Sequence, residues 1–447
     1  MPARIWSCSD SSSPSWADAP ALIQGSVYGL GLGRGVTAAG DVDGDGTGDL
    51  LMGTSVDFSQ AYLFSGPMSD MTEADATAVL SDGIPDSYFG YVNAGIGDQD
   101  GDGYDDVMVA SSNYPDAIDA YGRVYLLEGP LSGSVSSDVD AFATITGTFT
   151  KNHLGSALSS GDVTGDGEPD VVIGDRFADG SSGAVYVFEG PVASGDWIAT
   201  DATATISSVD TTFAGGAVDG GGDIDGDGVD DILFGGQSAN ADWGSGVGSA
   251  WLVLGPVTSD RDTTDADIRI WGDADDDRLG VSVATGGDLD GDGLDDAAVN
   301  APGAADGIVY VLSSATLTSA TELFAGSDAD GSIEGTAATY ETFGNALSIA
   351  GDTDGDGYAD LAAGAFYYDK GYGRAYLFSG PITGTVAADS DAVFTMDGVD
   401  IGYTATNLTL TDLDADARSD LAIASMFARN GAKNEAGNVA VWYGSGL

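Results

Sequence analysis

Seven short runs of this chain place oxygen-bearing side chains at offsets 1, 3, 5 and 9, a spacing suited to one hard cation per run. The sets are Asp41, Asp43, Asp45 and Asp49; Asp98, Asp100, Asp102 and Asp106; Asp162, Thr164, Asp166 and Asp170; Asp223, Asp225, Asp227 and Asp231; Asp288, Asp290, Asp292 and Asp296; Asp352, Asp354, Asp356 and Asp360; and Asp412, Asp414, Asp416 and Asp420. Side chains at offsets 1, 3 and 5 are expected to converge on the ion. The carbonyl at offset 7, from Thr47, Tyr104, Glu168, Val229, Leu294, Tyr358 or Arg418, adds an oxygen, and the carboxylate at offset 9 closes the shell. Calcium accepts about six to eight oxygens in flexible geometry, whereas magnesium demands a tight octahedron and keeps its waters. Glycine at offsets 4 and 6 allows the positive φ angles that let the backbone curl around the ion. Up to seven calcium ions are therefore expected. The weakest sites are the loop of Asp162, where Thr164 replaces a charge with a hydroxyl, and that of Asp412, where Ala415 and Ala417 stand in for glycine.

Two other readings of the pattern compete. Asp-Gly commonly marks a hairpin turn, but a turn does not need four acids at fixed offsets, and crowded carboxylates repel one another unless a cation sits among them. An EF-hand loop closes with Glu at its twelfth position, between helices. These loops close at offset 9 and run into Leu/Val/Ile-rich segments.

Successive copies begin 57 to 65 residues apart, too long for a hairpin repeat and close to one propeller blade. The second copy shows the grammar: Phe89-Gly90 opens an apolar segment, the acidic loop follows, and Val107-Met108-Val109-Ala110 comes next. Val124-Tyr125-Leu126-Leu127 and a β-rich run within 141–148 complete four strands. Near-continuous apolar third strands suit sheets covered on both faces. The last copy stops at Trp442-Tyr443 without a fourth strand, and Asp18 to Ser26 is left over at the other end. The expected fold is all-β: a seven-bladed β-propeller of four-stranded antiparallel blades, closed by the N-terminal strand completing blade 7. Residues 1–16 form a tail and 17–447 the propeller.

This combination resembles the FG-GAP repeat of the integrin α-subunit propeller over roughly residues 17–447. The opening pair occurs as Leu32-Gly33, Phe89-Gly90, Leu154-Gly155, Leu279-Gly280 and Phe343-Gly344, with departures at Phe213-Ala214 and Ile401-Gly402. The resemblance implies that calcium loops lie on one face and that loops between second and third strands carry partner recognition on the other. Those loops hold Tyr114, Arg176, Phe177, Trp243, Phe366, Tyr367, Tyr368 and Phe427, an aromatic cup able to hold a cationic side chain or, alternatively, to plug the channel. A protein ligand is the expected partner, in an extracellular or cell-surface adhesion role. A surface glycan is the alternative, since related repeats occur in lectins.

Composition narrows the field. With 72 acidic against 13 basic residues and a net charge of −59, nucleic acid and anionic membranes would be repelled. Cys8 is the single cysteine, which excludes an internal disulfide and thiolate zinc clusters. No run approaches the roughly 20 apolar residues of a membrane span, so the propeller does not insert, and Met1 to Ser15 lacks the apolar core of a secretory signal. His153 is the lone histidine, and no phosphate-binding loop ends in Gly-Lys-Ser/Thr. No enzyme is expected; a polysaccharide lyase or hydrolase using the acidic run Asp273 to Asp277 is the residual case.

Overall fold

A computed structural model describes residues 14–55, 57–116, 118–241, 243–336, 342–398, 402–429 and 435–447. Cys8 and Ile401 lie outside them. The fold is a seven-bladed β-propeller. The second blade is typical, with Phe89–Gly97, Asp106–Ser111, Arg123–Leu127 and Ala143–Thr146 pairing antiparallel in chain order. First strands of all seven blades line one axial channel, each contributing small or hydroxylic residues such as Thr37, Gly95, Ser159, Thr285, Ser348 and Thr409 beside Asp219. Second strands such as Asp49–Gly53 and Asp231–Gly236 are buried at every residue because blades cover them on both faces. The core therefore lies between blades. Leu51, Leu63 and Leu80 of the first, for example, pack against Phe89, Val107 and Tyr125 of the second.

The ring closes as the leftover N-terminal segment requires. Ala21–Gln24 runs antiparallel to Asn438–Trp442, pairing Ala21 with Val441 and Gln24 with Asn438. Ala21 and Ile23 are fully buried among Leu50, Phe64 and Val441. Trp16, read from sequence as the end of the tail, is buried with Phe394 and Trp442. Ser15 helps to set it there by donating its N–H and hydroxyl to Asp18 Oδ2 at 3.0 and 2.7 Å.

A fifth strand is an addition to the expected blade. The connection between third and fourth strands carries a short segment that pairs in parallel with the outer strand of the preceding blade: Gly133–Ser136 on Ala78–Ser81, Gly195–Ile198 on Ala143–Thr146, and Met71–Thr72 on Ala21–Gln24. Six blades carry such a strand among the described residues. It covers an edge that would otherwise present unpaired N–H and C=O groups.

The two irregular opening pairs are shifted from where the sequence suggested. In the regular pairs the glycine holds positive φ, as at Gly90 (79°) and Gly280 (83°). In blade 4 that role falls to Gly215 at 77°, so the pair is Ala214-Gly215 and not Phe213-Ala214. In blade 7 Ala405, buried and at φ 60°, occupies the position, making the pair Thr404-Ala405. Parallel bridges Gly183–Ala214, Gly248–Leu279 and Gly373–Thr404 place the three first members in register.

Candidate metal centres

Each acidic loop joins the first strand of a blade to the second, and its backbone is wrapped around its own carboxylates. Asp41 accepts the N–H of Asp45 on Oδ1 and of Gly46 on Oδ2, both at 2.9 Å, while Asp43 Oδ1 accepts Asp45 N–H at 3.2 Å. The same bonds recur around Asp98, Asp223, Asp288 and Asp352. Glycines at offsets 4 and 6 hold positive φ, such as 75° at Gly44 and 89° at Gly46.

The aspartate at offset 9 opens the second strand, or in blade 6 immediately precedes it, and is buried in all seven blades. One oxygen of Asp49 accepts Val42 N–H at 2.9 Å and the other accepts Gly66 N–H from the turn after the third strand at 3.1 Å. Asp106, Asp231 and Asp420 repeat this double latch with Gln99 and Gly129, Ile224 and Gly255, and Leu413 and Gly444. In the protein alone, burial pushes the carboxyl groups of Asp49, Asp231, Asp296 and Asp420 up to about 7 and those of Asp106 and Asp170 up to about 6; neighbouring loop carboxylates push the same way. A cation among them would reverse that preference by favouring the ionised form.

The donor set fits calcium. One oxygen from each of Asp41, Asp43 and Asp45 lies within 4.8 Å of the others, as do those of Asp98, Asp100 and Asp102, and of Asp352, Asp354 and Asp356. In blades 4 and 5 the close trios are Asp223, Asp225 and Asp231, and Asp288, Asp290 and Asp296. Oxygens sharing one calcium at about 2.3 to 2.6 Å cannot lie farther apart than about 5 Å. The third loop carries Thr164 at offset 3. Thr164 turns its hydroxyl to Asp170 Oδ1 at 3.2 Å and donates its N–H to Asp170 Oδ2 at 2.7 Å. In the seventh, Ala415 and Ala417 hold φ 58° and 67°. There Asp414 Oδ1 is buried without a hydrogen-bond partner among the described residues, an oxygen a cation would satisfy.

On the opposite end of the blades the aromatic residues gather in separate groups. Phe366 and Tyr367 meet Tyr403, which meets Phe427, at ring separations of 5.5 to 6.0 Å. Trp243, half exposed, packs on Trp271 and Phe324 at 5.2 and 5.4 Å. Phe177 sits between His153 and Phe213. The chain's own arginines occupy several ring faces: Arg123 over Tyr114 at 3.8 Å, Arg374 over Tyr368 at 4.1 Å and Arg176 over Phe177 at 4.7 Å. His153 is thus a packing residue of the rim, its pKa lowered chiefly by burial. The acidic run is occupied by the fold too, since Asp277 Oδ2 accepts the N–H groups of Asp273 and Ala274.

The FG-GAP repeat profile matches residues 154–188, 279–312 and 343–378, which carry the third, fifth and sixth acidic loops. The chain carries FG-GAP repeats. This FG-GAP propeller is 36% identical over 158 residues to integrin alpha-PS2 of Drosophila melanogaster, covering 33% of the chain and 11% of that protein. It is 34% identical over 163 residues to phosphatidylinositol-glycan-specific phospholipase D of Bos taurus, covering 33% of the chain and 19% of the relative. The longest of these alignments, with integrin alpha-5 of Xenopus laevis, spans 310 residues at 26% identity, 65% of the chain and 27% of the relative. The chain thus spans about a quarter or less of each. A chain from the solved complex of BBS1N with ARL6DN shares the architecture at TM-score 0.50 and 10% identity, over 95% of this chain and 93% of that one. No described helix is long and apolar enough to cross a membrane.

Proposed function

We propose that the FG-GAP propeller is a calcium-stabilised binding module for a protein ligand, working outside the cell or at its surface. The observation that carries this reading is the convergence of carboxylate oxygens within 4.8 Å in loop after loop at one end of a rigid ring. With metal holding that end, the loops at the other end are left for recognition. Their Trp, Tyr and Arg content is that of interface hot spots. Similarity to two integrin α chains supports a protein partner. Similarity to a phospholipase D is confined to about a third of the chain, and the propeller acts here as a non-catalytic domain.

The test is binding to a panel of immobilised extracellular-matrix proteins and to a glycan array, each in calcium and in chelator. Replacing Trp243, Tyr367 and Tyr368 with alanine is expected to abolish protein binding while leaving fold and calcium content intact. Binding to glycans alone would move the reading to a lectin, and full affinity in the triple variant would place recognition elsewhere.

A further inference from the structure

At five of the seven boundaries an acidic loop is bonded to the loop of the next blade through the same atoms. The N–H at offset 8 donates to the offset-1 carbonyl of the preceding loop: Asp105 to Asp41 at 3.1 Å, Asp230 to Asp162 at 3.0 Å, Asp295 to Asp223 at 3.4 Å, Ala359 to Asp288 at 2.8 Å and Ser419 to Asp352 at 3.1 Å. Where offset 8 is aspartate the clamp is double, because its carboxylate accepts the N–H of that same offset-1 residue. Asp41 donates to Asp105 Oδ2 at 2.7 Å, Asp162 to Asp230 Oδ2 at 2.8 Å and Asp223 to Asp295 Oδ2 at 3.0 Å. Glycine before offset 1 makes room, since side chains on Gly40 and Gly161 would collide with the carboxylates of Asp105 and Asp230.

Offset 7 adds a second touch. Tyr104, Val229, Leu294, Tyr358 and Arg418 lie against the offset-4 glycine of the preceding loop, over Gly44, Gly165, Gly226, Gly291 and Gly355. The boundary between the second and third loops departs from this scheme. Pro169 at offset 8 has no N–H to give, and Gln99 Nε2 donates to its carbonyl at 2.8 Å instead.

Offset 8 immediately precedes the offset-9 ligand, and offset 1 is itself a ligand. On the calcium reading above, we propose that Asp105, Asp230 and Asp295 are positioning residues that couple neighbouring calcium loops. An ion that fixes offset 9 of one loop fixes offset 8, which pins the first ligand of the loop before it. Because such coupling is reciprocal, calcium loading is linked among the third, fourth and fifth loops and, separately, between the first and second. Pro169 separates the two groups.

The test is hydrogen exchange read by mass spectrometry across a calcium titration of the full chain, comparing the protection midpoint of the third loop with that of the sixth. Asp230→Ala removes none of the proposed ligands; it deletes only the carboxylate that accepts Asp162 N–H. It is expected to raise the third-loop midpoint roughly ten-fold against an unmoved sixth loop. Asp230→Asn, whose amide oxygen accepts the same N–H, should restore most of the difference. A purely structural residue would lower the melting temperature equally in calcium and in chelator and leave the ratio of midpoints alone; that result overturns the coupling. Should Asp230→Ala fail to fold, the ratio is read at the first loop in Asp105→Ala and at the fourth in Asp295→Ala, with the same two outcomes. Absence of calcium-dependent protection at every loop of the unaltered chain would instead overturn the calcium reading itself.

Discussion

The buried aspartates at offset 9 contribute to the pH behaviour of the ring, together with Asp175, which burial also pushes up to about 7. A carboxyl group whose folded pKa stands above its unfolded value near 4 adds stability below that pH and loses the contribution as pH rises through the folded value. Burial places Asp49, Asp231, Asp296 and Asp420 at about 7 in the protein alone. In chelator the melting temperature is therefore expected to fall between about pH 4 and pH 7. Saturating calcium should reverse the slope, since the ion favours the ionised form and acid then displaces it. Calorimetric melts across this range with and without calcium check both signs; a rise with pH in chelator contradicts the assignment. Ala415 and Ala417 belong to the same scale. Their positive φ costs an L-residue roughly 1 kcal/mol each, so replacing both with glycine should raise the melting temperature in calcium and shift the seventh-loop exchange midpoint to lower calcium.

At the scale of elements, the decisive piece is the strand Ala21–Gln24, which carries Ile23 into the seam between blades 7 and 1. Burying one such side chain is worth about 1.5 to 3 kcal/mol, and the strand adds a four-residue ladder. Removing Met1 to Ser26 should therefore lower the melting temperature sharply, while removing Met1 to Ser15 forfeits the exposed Ser15–Asp18 hydrogen bonds but keeps Trp16 and the strand, and should lower it far less. Equal losses would refute the closure. Strands of this kind were legible in the sequence because third strands such as Val185-Tyr186-Val187-Phe188 are unbroken apolar runs and the acidic loops mark the turn before each second strand. The fifth strands were not. Gly133–Ser136 is largely exposed and Met71–Thr72 only two residues long, so neither carries a period of its own. Their place follows from a neighbouring edge that no local pattern reports. The pair Thr404-Ala405 was hidden for a related reason, since alanine fills the position where glycine elsewhere announces positive φ. Likewise the doubled acids Asp105-Asp106, Asp230-Asp231 and Asp295-Asp296 are plain in the text, but which neighbour the first of each reaches is a property of the ring.

For the whole molecule, calcium bound as proposed would be part of the scaffold, because binding confined to the folded loops stabilises the fold by mass action. Chelation should lower the melting temperature, and equal values in excess calcium and in verified metal-free protein would remove calcium from the account. The seam at blade 7 also has a mechanical meaning. Ala21 pairs with Val441 and Gln24 with Asn438, so the two outermost ends of the strand pair lie side by side. A pull applied between the two ends of the chain loads these hydrogen bonds one after another, peeling the strands apart like a zipper, whereas a pull along opposed ends would load them together. On the outer side Met71–Thr72 clasps the same strand, and Asp70 Oδ1 accepts Leu22 N–H at 3.2 Å. Tension in a longer polypeptide would thus open this propeller at one place, and at low force, turning blade 7 into a release catch for a ring that is otherwise locked by its neighbours.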